Sequence, residues 1–200
     1  MQENPKEKLS LKLEIYDWMQ CIVVAIVACI LIFTFVGRII GVDGGSMLPT
    51  LEDGDKIIIT NLYTKLEYGD IVVLTKREFS REPIVKRVIA TEGQTVEIDF
   101  KAKRILVDGK EYEDAHSILK DLSDRTINVY TLTAEHHYDH AEGVFSATVP
   151  KGQLFVMGDN RNGSTDSRST LVGAIDERQI LGKAVVRILP FGDFDIYDYE

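Results

Sequence analysis

The chain has 200 residues, of which 44% are hydrophobic and 28% are charged, a composition that is ordinary for one or two small globular domains. Its formal net charge of −9 argues against nucleic acid as a partner, because a protein that binds a phosphate backbone needs a basic surface.

The first element is an apolar run without a charged residue over residues 18–36. As a helix that rises 1.5 Å per residue, the run measures about 28 Å, close to the hydrocarbon thickness of a bilayer. It predicts a transmembrane helix at 18–36, preceded by a short segment at 1–17. Two alternatives remain open: a buried core helix and a secretory signal cleaved near Gly44.

The basic residues on either side of the run predict its orientation. Lys6, Lys8 and Lys12 precede it, whereas only Arg38 follows it closely. Lysine and arginine near a membrane span tend to stay in the cytoplasm. The pattern therefore predicts a single-pass protein of the cell membrane with residues 1–17 in the cytoplasm and residues 37–200 outside.

Beyond this run, short apolar stretches alternate with turn signals at intervals of about ten residues, a pattern typical of many short strands. The predicted strands lie at 56–60, 71–74, 84–89, 95–98, 104–107, 153–157 and 182–188. No long helical pattern follows residue 40. The fold class predicted for residues 37–200 is therefore a mostly β domain.

Residues 111–150 differ from their surroundings because they are polar and contain all four histidines, His116, His136, His137 and His140. We interpret them as an insert or a small subdomain whose histidines lie in a solvated loop. A metal site or a catalytic histidine is the alternative. Because both cysteines fall in the predicted span, the exported part has neither a disulfide nor a cysteine metal site, and we expect no metal and no cofactor.

Three segments contain candidate catalytic residues, the first of them just beyond the apolar run. Ser46 follows Gly44 and Gly45, which allow close approach of the backbone, and it is a candidate nucleophile. A serine between glycine and proline is also an ordinary turn residue, so this alternative stays open.

The second segment is the predicted strand at 84–89, in which Lys86 shares a face with Ile84 and Val88. If that face is buried, desolvation lowers the pKa of the lysine and makes its neutral amine a possible general base. The alternative is a lysine on an edge strand that points to solvent. The third segment, 158–168, is either a polar turn or a group of side chains that orient the other two segments.

Together and in this order, the segments at 46–50, 86–88 and 158–168 resemble those of the bacterial type I signal peptidases. These membrane-bound serine endopeptidases have a signal-peptidase β fold and remove signal peptides from exported preproteins. The resemblance covers roughly residues 15–190. Gly44 and the single predicted span are similar to the Gram-positive members. The resemblance implies preproteins as substrates and the lipid bilayer as a partner.

By this resemblance Ser46 is the nucleophile, Lys86 the general base, and Ser164 the residue that orients the lysine. Asp166 and Arg168 correspond to a structural ion pair. The turn beneath the site is formed by Asp159, Asn160 and Arg161.

The oxyanion hole is expected to use the backbone N–H of Ser46. Some members of the family supply a second donor from a serine two residues earlier, where this chain has Gly44, so that donor cannot be a side chain here. Substrates with small residues three and one positions before the cut, of the Ala-x-Ala type, would need a shallow apolar pocket. Strand geometry makes Leu48, Ile84 and Val88 candidates for its lining.

Two other functions remain as alternatives. One is a serine-lysine peptidase similar to the self-cleaving repressors, but these carry a DNA-binding domain where this chain has its apolar run. The other is a membrane-anchored β domain that binds exported chains without cleaving them.

Overall fold

The structure, a computed structural model, describes residues 5–35, 37–111, 136–139, 143–169 and 171–190. The chain divides into two compact units, Met1–Arg38 and Ile39–Glu200. The first contains a long helix and the second is built from strands.

Helix α1 spans Pro5–Phe35. It begins well before the predicted start at residue 18 because residues 5–17 are rich in leucine, lysine and glutamate, which favour helix, and Pro5 stands at a position that tolerates proline. Val36, the last residue of the predicted span, lies outside the described residues. In the part of the chain that the structure describes, no helix is long and apolar enough to cross a membrane.

The second unit is mostly β, as the pattern of short apolar runs predicted. In chain order the strands are β1 Arg38–Gly41, β2 Lys56–Thr60, β3 Ile71–Leu74, β4 Ile84–Ala90, β5 Thr95–Asp99, β6 Arg104–Val107, β7 Lys110–Glu111, β8 His136–Asp139, β9 Val144–Thr148, β10 Gln153–Met157, β11 Ile175–Asp176 and β12 Ile180–Leu189. A short 3-10 helix, Glu177–Gln179, precedes β12.

The strands form two sheets. One has seven strands in the order β1-β2-β12-β3-β4-β10-β11, and the other has five in the order β7-β6-β5-β9-β8. Apolar side chains from both sheets share one core cluster, which includes Ile89, Val96, Phe145 and Phe155. Strand β4 lies between β3 and β10, so its residues are covered by neighbours on both sides.

Part of the segment predicted as a polar insert belongs to the second sheet. Strand β9 pairs along its whole length with β5, and Phe145 and Ala147 of β9 are buried. The strand was missed because its alternation between inward and outward positions covers only five residues and follows a polar segment. His136 and His137 lie in β8. His116 and His140 lie outside the described residues.

Two turns with the same sequence pattern, Glu-x-Gly-Asp, precede β2 and β3. In each turn the final aspartate, Asp55 or Asp70, accepts a hydrogen bond from the backbone N–H of the glutamate three residues earlier. Both aspartates are buried and pair with cations of β12, Asp55 with Arg187 at 3.3 Å and Asp70 with Lys183 at 2.7 Å. Ion pairs from β12 therefore fix the turns just before its two neighbouring strands, β2 and β3.

Candidate active site

Ser46 lies in a turn between β1 and β2 that is fixed to the core by buried residues just after the serine. Met47 and Leu51 are buried in a cluster with apolar residues of β2, β3 and β4. The backbone N–H of Leu51 also donates to the Met47 carbonyl over 3.0 Å. Ser46 itself is half-buried. The packing therefore holds the hydroxyl at the boundary between core and solvent.

Lys86 lies in β4 opposite Val72 of β3, and its side chain is only 3% exposed. Its Nζ donates to Ser46 Oγ over 2.8 Å and to the Val85 carbonyl over 3.0 Å. Because β4 is an interior strand, the alternative of a solvent-facing lysine on an edge strand is wrong. The structure brings the serine and the lysine, 40 residues apart in the chain, into hydrogen-bond contact.

Burial lowers the pKa of Lys86, since the low dielectric of the interior disfavours the ammonium form. Two carboxylates, Asp166 and Asp159, oppose this effect by raising the pKa, whereas the charge of Arg168 adds to the lowering. Desolvation is the largest of these causes, so the pKa of Lys86 is lower than that of a lysine in water and more of its amine is neutral.

The segment 158–168 follows β10 and contacts the serine turn directly. The backbone N–H of Asn160 donates to the Ser46 carbonyl over 3.0 Å, and its Nδ2 donates to the Gly45 carbonyl over 2.9 Å. Gly158 is so close that a Cβ atom at this position would overlap the Ser46 carbonyl oxygen and Ser164 Oγ. The polar segment is thus part of the support for the serine.

Asp166 and Arg168 form a buried ion pair within this segment, with Nε to Oδ1 at 2.8 Å and Nη2 to Oδ2 at 2.9 Å. Asp166 also accepts the N–H of Gly158 over 2.9 Å. Burial alone would raise the pKa of Asp166, but the charge and hydrogen bonds of Arg168 and the Gly158 N–H outweigh burial and lower it. Arg168 further donates to the Arg161 carbonyl over 2.6 Å, which closes the loop.

Ser164, predicted to orient the lysine, is buried beside Gly158. Its hydroxyl helps to lower the pKa of Asp166, yet it has no hydrogen-bond partner of ordinary geometry among the described residues. A bond from Ser164 to Lys86 is therefore not present in this part of the chain, and the amine of Lys86 contacts Ser46 and Val85 instead.

Two residues of the site were not assigned a role from the sequence. Arg87 forms a buried ion pair with Asp159, its Nε donating to Oδ1 over 2.7 Å, and its Nη1 donates to the Gly69 carbonyl over 2.7 Å. Thr50 Oγ1 donates to Asp159 Oδ2 over 2.6 Å. The sequence did contain one sign of this ion pair, because Arg87 lies in a strand of apolar residues and a buried charge needs a partner.

The candidate oxyanion donors differ in their availability. The backbone N–H of Gly44 donates to Asp53 Oδ1 over 2.8 Å, and Gly44 has a positive φ of 83° that suits glycine. The N–H of Ser46, in contrast, has no acceptor among the described residues. Among the described residues, therefore, the Gly44 N–H is engaged and the Ser46 N–H is not.

The three predicted pocket residues lie in different environments. Val88 is fully buried in a core cluster with Val72 and Leu154, so its first role is packing. Leu48 and Ile84 are half-buried. A role for these residues in a substrate pocket stays a prediction. No group of three or more histidine, cysteine, aspartate or glutamate side chains that could hold a metal ion occurs among the described residues.

A serine hydroxyl held against a buried lysine amine, in a mostly β unit, has the arrangement expected of a serine peptidase. The chain belongs to the peptidase S26 family, because it matches the family described as "Signal peptidase, peptidase S26" over residues 15–189. It is thus a serine endopeptidase of the signal peptidase class.

Several curated relatives are similar over most of the chain. A signal peptidase I of Bacillus amyloliquefaciens is 33% identical over 195 residues, which cover 96% of this chain and 97% of the relative. Signal peptidase IB of Staphylococcus aureus (strain COL) is 34% identical over 187 residues, covering 92% and 94%. The crystal structure of a signal peptidase I from Enterococcus faecalis V583 is 24% identical, covers 60% of this chain and 97% of that one, and gives a TM-score of 0.39.

Proposed function

We propose that this protein cleaves signal peptides with a Ser46 nucleophile and a neutral Lys86 general base. The observation that supports this proposal most strongly is the 2.8 Å contact between Lys86 Nζ and Ser46 Oγ, with the amine side chain only 3% exposed. Covalent catalysis first requires a base within hydrogen-bond reach of the nucleophile. It also requires that the pKa of that base be low enough for its neutral form to be present.

In the proposed acylation step, the neutral amine of Lys86 accepts the Ser46 hydroxyl proton as Oγ bonds to the carbonyl carbon of the scissile peptide. The resulting oxyanion is stabilised by the Ser46 N–H, whereas the Gly44 N–H already donates to Asp53. Lys86 then returns the proton to the leaving nitrogen as the C–N bond breaks. The released amine is the new N-terminus of the exported protein, and the signal peptide stays on Ser46 as an ester.

In the proposed deacylation step, the neutral Lys86 takes a proton from a water molecule that attacks the ester carbonyl. The C–O bond to Ser46 breaks, and the proton returns to Oγ. A lysine fits both steps only while its amine is uncharged, which burial against apolar strands favours. In this mechanism Asp166 and Arg168 act on the lysine through their charges, and Ser164 lies beside Gly158 in the loop that supports the serine.

The proposed substrates are preproteins with small side chains three and one positions before the cut, of the Ala-x-Ala type. The named relatives are signal peptidases, and an extended substrate could pair with a strand while alternate side chains enter a shallow apolar pocket. We further propose that the apolar run at 18–36 anchors the chain in the lipid bilayer. Residues 1–17 would then lie in the cytoplasm and residues 37–200 outside.

The test is cleavage of a preprotein with an Ala-x-Ala site by the full chain. We expect Ser46→Ala and Lys86→Ala each to lower kcat by about 10⁴-fold or more. The nucleophile and the base act as one unit, so the loss of either one removes most of the catalysis. His137→Ala, in β8 of the other sheet, should cleave normally. Full activity in Lys86→Ala would exclude the mechanism.

A further inference from the structure

Thr50 is the residue at which three parts of the candidate site meet. It follows Ser46 by four positions in the same turn, and its hydroxyl donates to Asp159 Oδ2 over 2.6 Å. Its carbonyl oxygen accepts a longer contact of 3.4 Å from Arg187 Nη1 of β12. The C-terminal end of the serine turn is thus attached through both the side chain and the backbone of one residue.

The acceptor of the Thr50 hydroxyl is fixed in place. Asp159 is fully buried, and both of its oxygens accept hydrogen bonds from the Arg87 guanidinium, with distances of 2.7 and 2.5 Å. Such a two-pronged arginine–carboxylate pair has a defined geometry. The Thr50 hydroxyl is therefore held in place by its hydrogen bond to this rigid carboxylate.

The residues of the Arg87–Asp159 ion pair are next in the chain to Lys86 and Asn160, the two residues that bond Ser46. Arg87 is the residue after Lys86 in β4, and Asp159 is the residue before Asn160, whose backbone N–H holds the Ser46 carbonyl. The Thr50 hydroxyl therefore ties the serine turn to the strand of the base and to the loop that supports the serine. Core packing of Met47 and Leu51 also anchors the same turn.

From these contacts we infer that Thr50 is a positioning residue that keeps Ser46 Oγ within hydrogen-bond reach of Lys86 Nζ through its hydrogen bond to Asp159. The inference rests on the proposed serine-lysine mechanism. Thr50 does not contact the reacting atoms, so its loss should affect the rate of the chemical step more than substrate binding.

The experiment compares two substitutions in the full chain with preprotein as substrate. Thr50→Val keeps the shape of the side chain but removes the hydroxyl, and a displacement of the nucleophile by about 1 Å can cost about 100-fold. We expect kcat to fall tenfold to about 100-fold, with KM changed by less than about threefold. Thr50→Ser retains the hydroxyl, and its kcat should stay within about threefold of wild type.

The matched control is Thr95→Val, which removes a half-buried hydroxyl that bonds Thr148 in the second sheet. It should leave kcat and KM unchanged. The inference is overturned if Thr50→Val keeps its kcat, or if Thr50→Ser loses as much activity as a hydroxyl-free variant. Where Thr50→Val does not fold, Thr50→Ser still tests the inference, because a large loss of kcat in a folded variant that keeps the hydroxyl overturns it.

The Ser46→Ala variant separates this inference from the proposed function. If Ser46→Ala still cleaves, the mechanism fails whatever Thr50 does. If Ser46→Ala is inactive and Thr50→Val has a normal kcat, the mechanism stands and only the role of Thr50 is refuted.

Discussion

Replacing Gly158 by alanine tests how closely the polar loop supports the nucleophile. The added Cβ would lie 2.5 Å from the Cβ of Ser164, and closer still to Ser164 Oγ and to the carbonyl oxygen of Ser46. Carbon atoms pack at about 3.5–4.0 Å, so one of the partners has to move by about 1 Å or more. Ser46 is the critical partner because its contact is with the backbone rather than with a rotatable side chain.

The expected magnitude follows from this displacement. A shift of about 1 Å between nucleophile and base can lower the rate about 100-fold, which corresponds to about 2.7 kcal/mol in the activation free energy. The overpacking itself should cost about 1–3 kcal/mol in the free energy of unfolding. Gly158→Ala should therefore lose both activity and stability.

The assay measures kcat for preprotein cleavage together with denaturant unfolding. Gly182→Ala is the matched control, because its Cβ would lie 2.8 Å from the Thr60 carbonyl oxygen, in the sheet but away from the serine. We expect Gly182→Ala to lose stability while the folded fraction retains its kcat. If Gly158→Ala loses stability to the same extent and still keeps a normal kcat, the argument from close approach is refuted.

Two further predictions concern the charged groups of the site. Because burial lowers the pKa of Lys86 and the neutral amine is the proposed active form, kcat/KM should rise with pH and level off below the ordinary lysine pKa of about 10.4. A pH profile still rising beyond that value would contradict the lowered pKa. Asp166→Asn leaves Arg168 buried without its carboxylate, so the free energy of unfolding should fall by about 3–5 kcal/mol in denaturant titrations. Arg104→Gln, which breaks the more exposed pair with Asp99 at 3.6 Å, should cost under about 1 kcal/mol, and equal losses in both variants would refute this difference.

The sequence determined the local elements where its pattern was strong. Short β-rich apolar runs bounded by turn residues located strands such as β2 and β3 with the bounds that the structure has. Strand β9 and the early start of α1 were missed, since the first is a short run next to polar sequence and the second begins in polar helix formers. Strand β9 does alternate between buried and partly buried positions, but over only five residues, and the residues that begin α1 contain no continuous apolar run.

The sequence also supplied the chemical groups of the candidate site, because a serine, a lysine and a polar loop in this order resemble the signal peptidases. It could not decide whether Lys86 is buried, since period two is the same in an edge strand and in an interior one. The pairing of β4 with β3 and β10 makes it an interior strand, and Lys86 in this strand is only 3% exposed in the folded chain.

The remaining features depended on contacts between distant parts of the chain. Thr50 and Asp159 are 109 residues apart, and Arg87 and Asp159 are 72 apart, so nothing in their local sequence identifies them as partners. The engagement of the Gly44 N–H by Asp53 likewise follows from how the turns close. The sequence by itself determined which groups are available for the chemistry, whereas the tertiary structure decided which of them are desolvated and which are within hydrogen-bond distance, because strand pairing and burial are non-local.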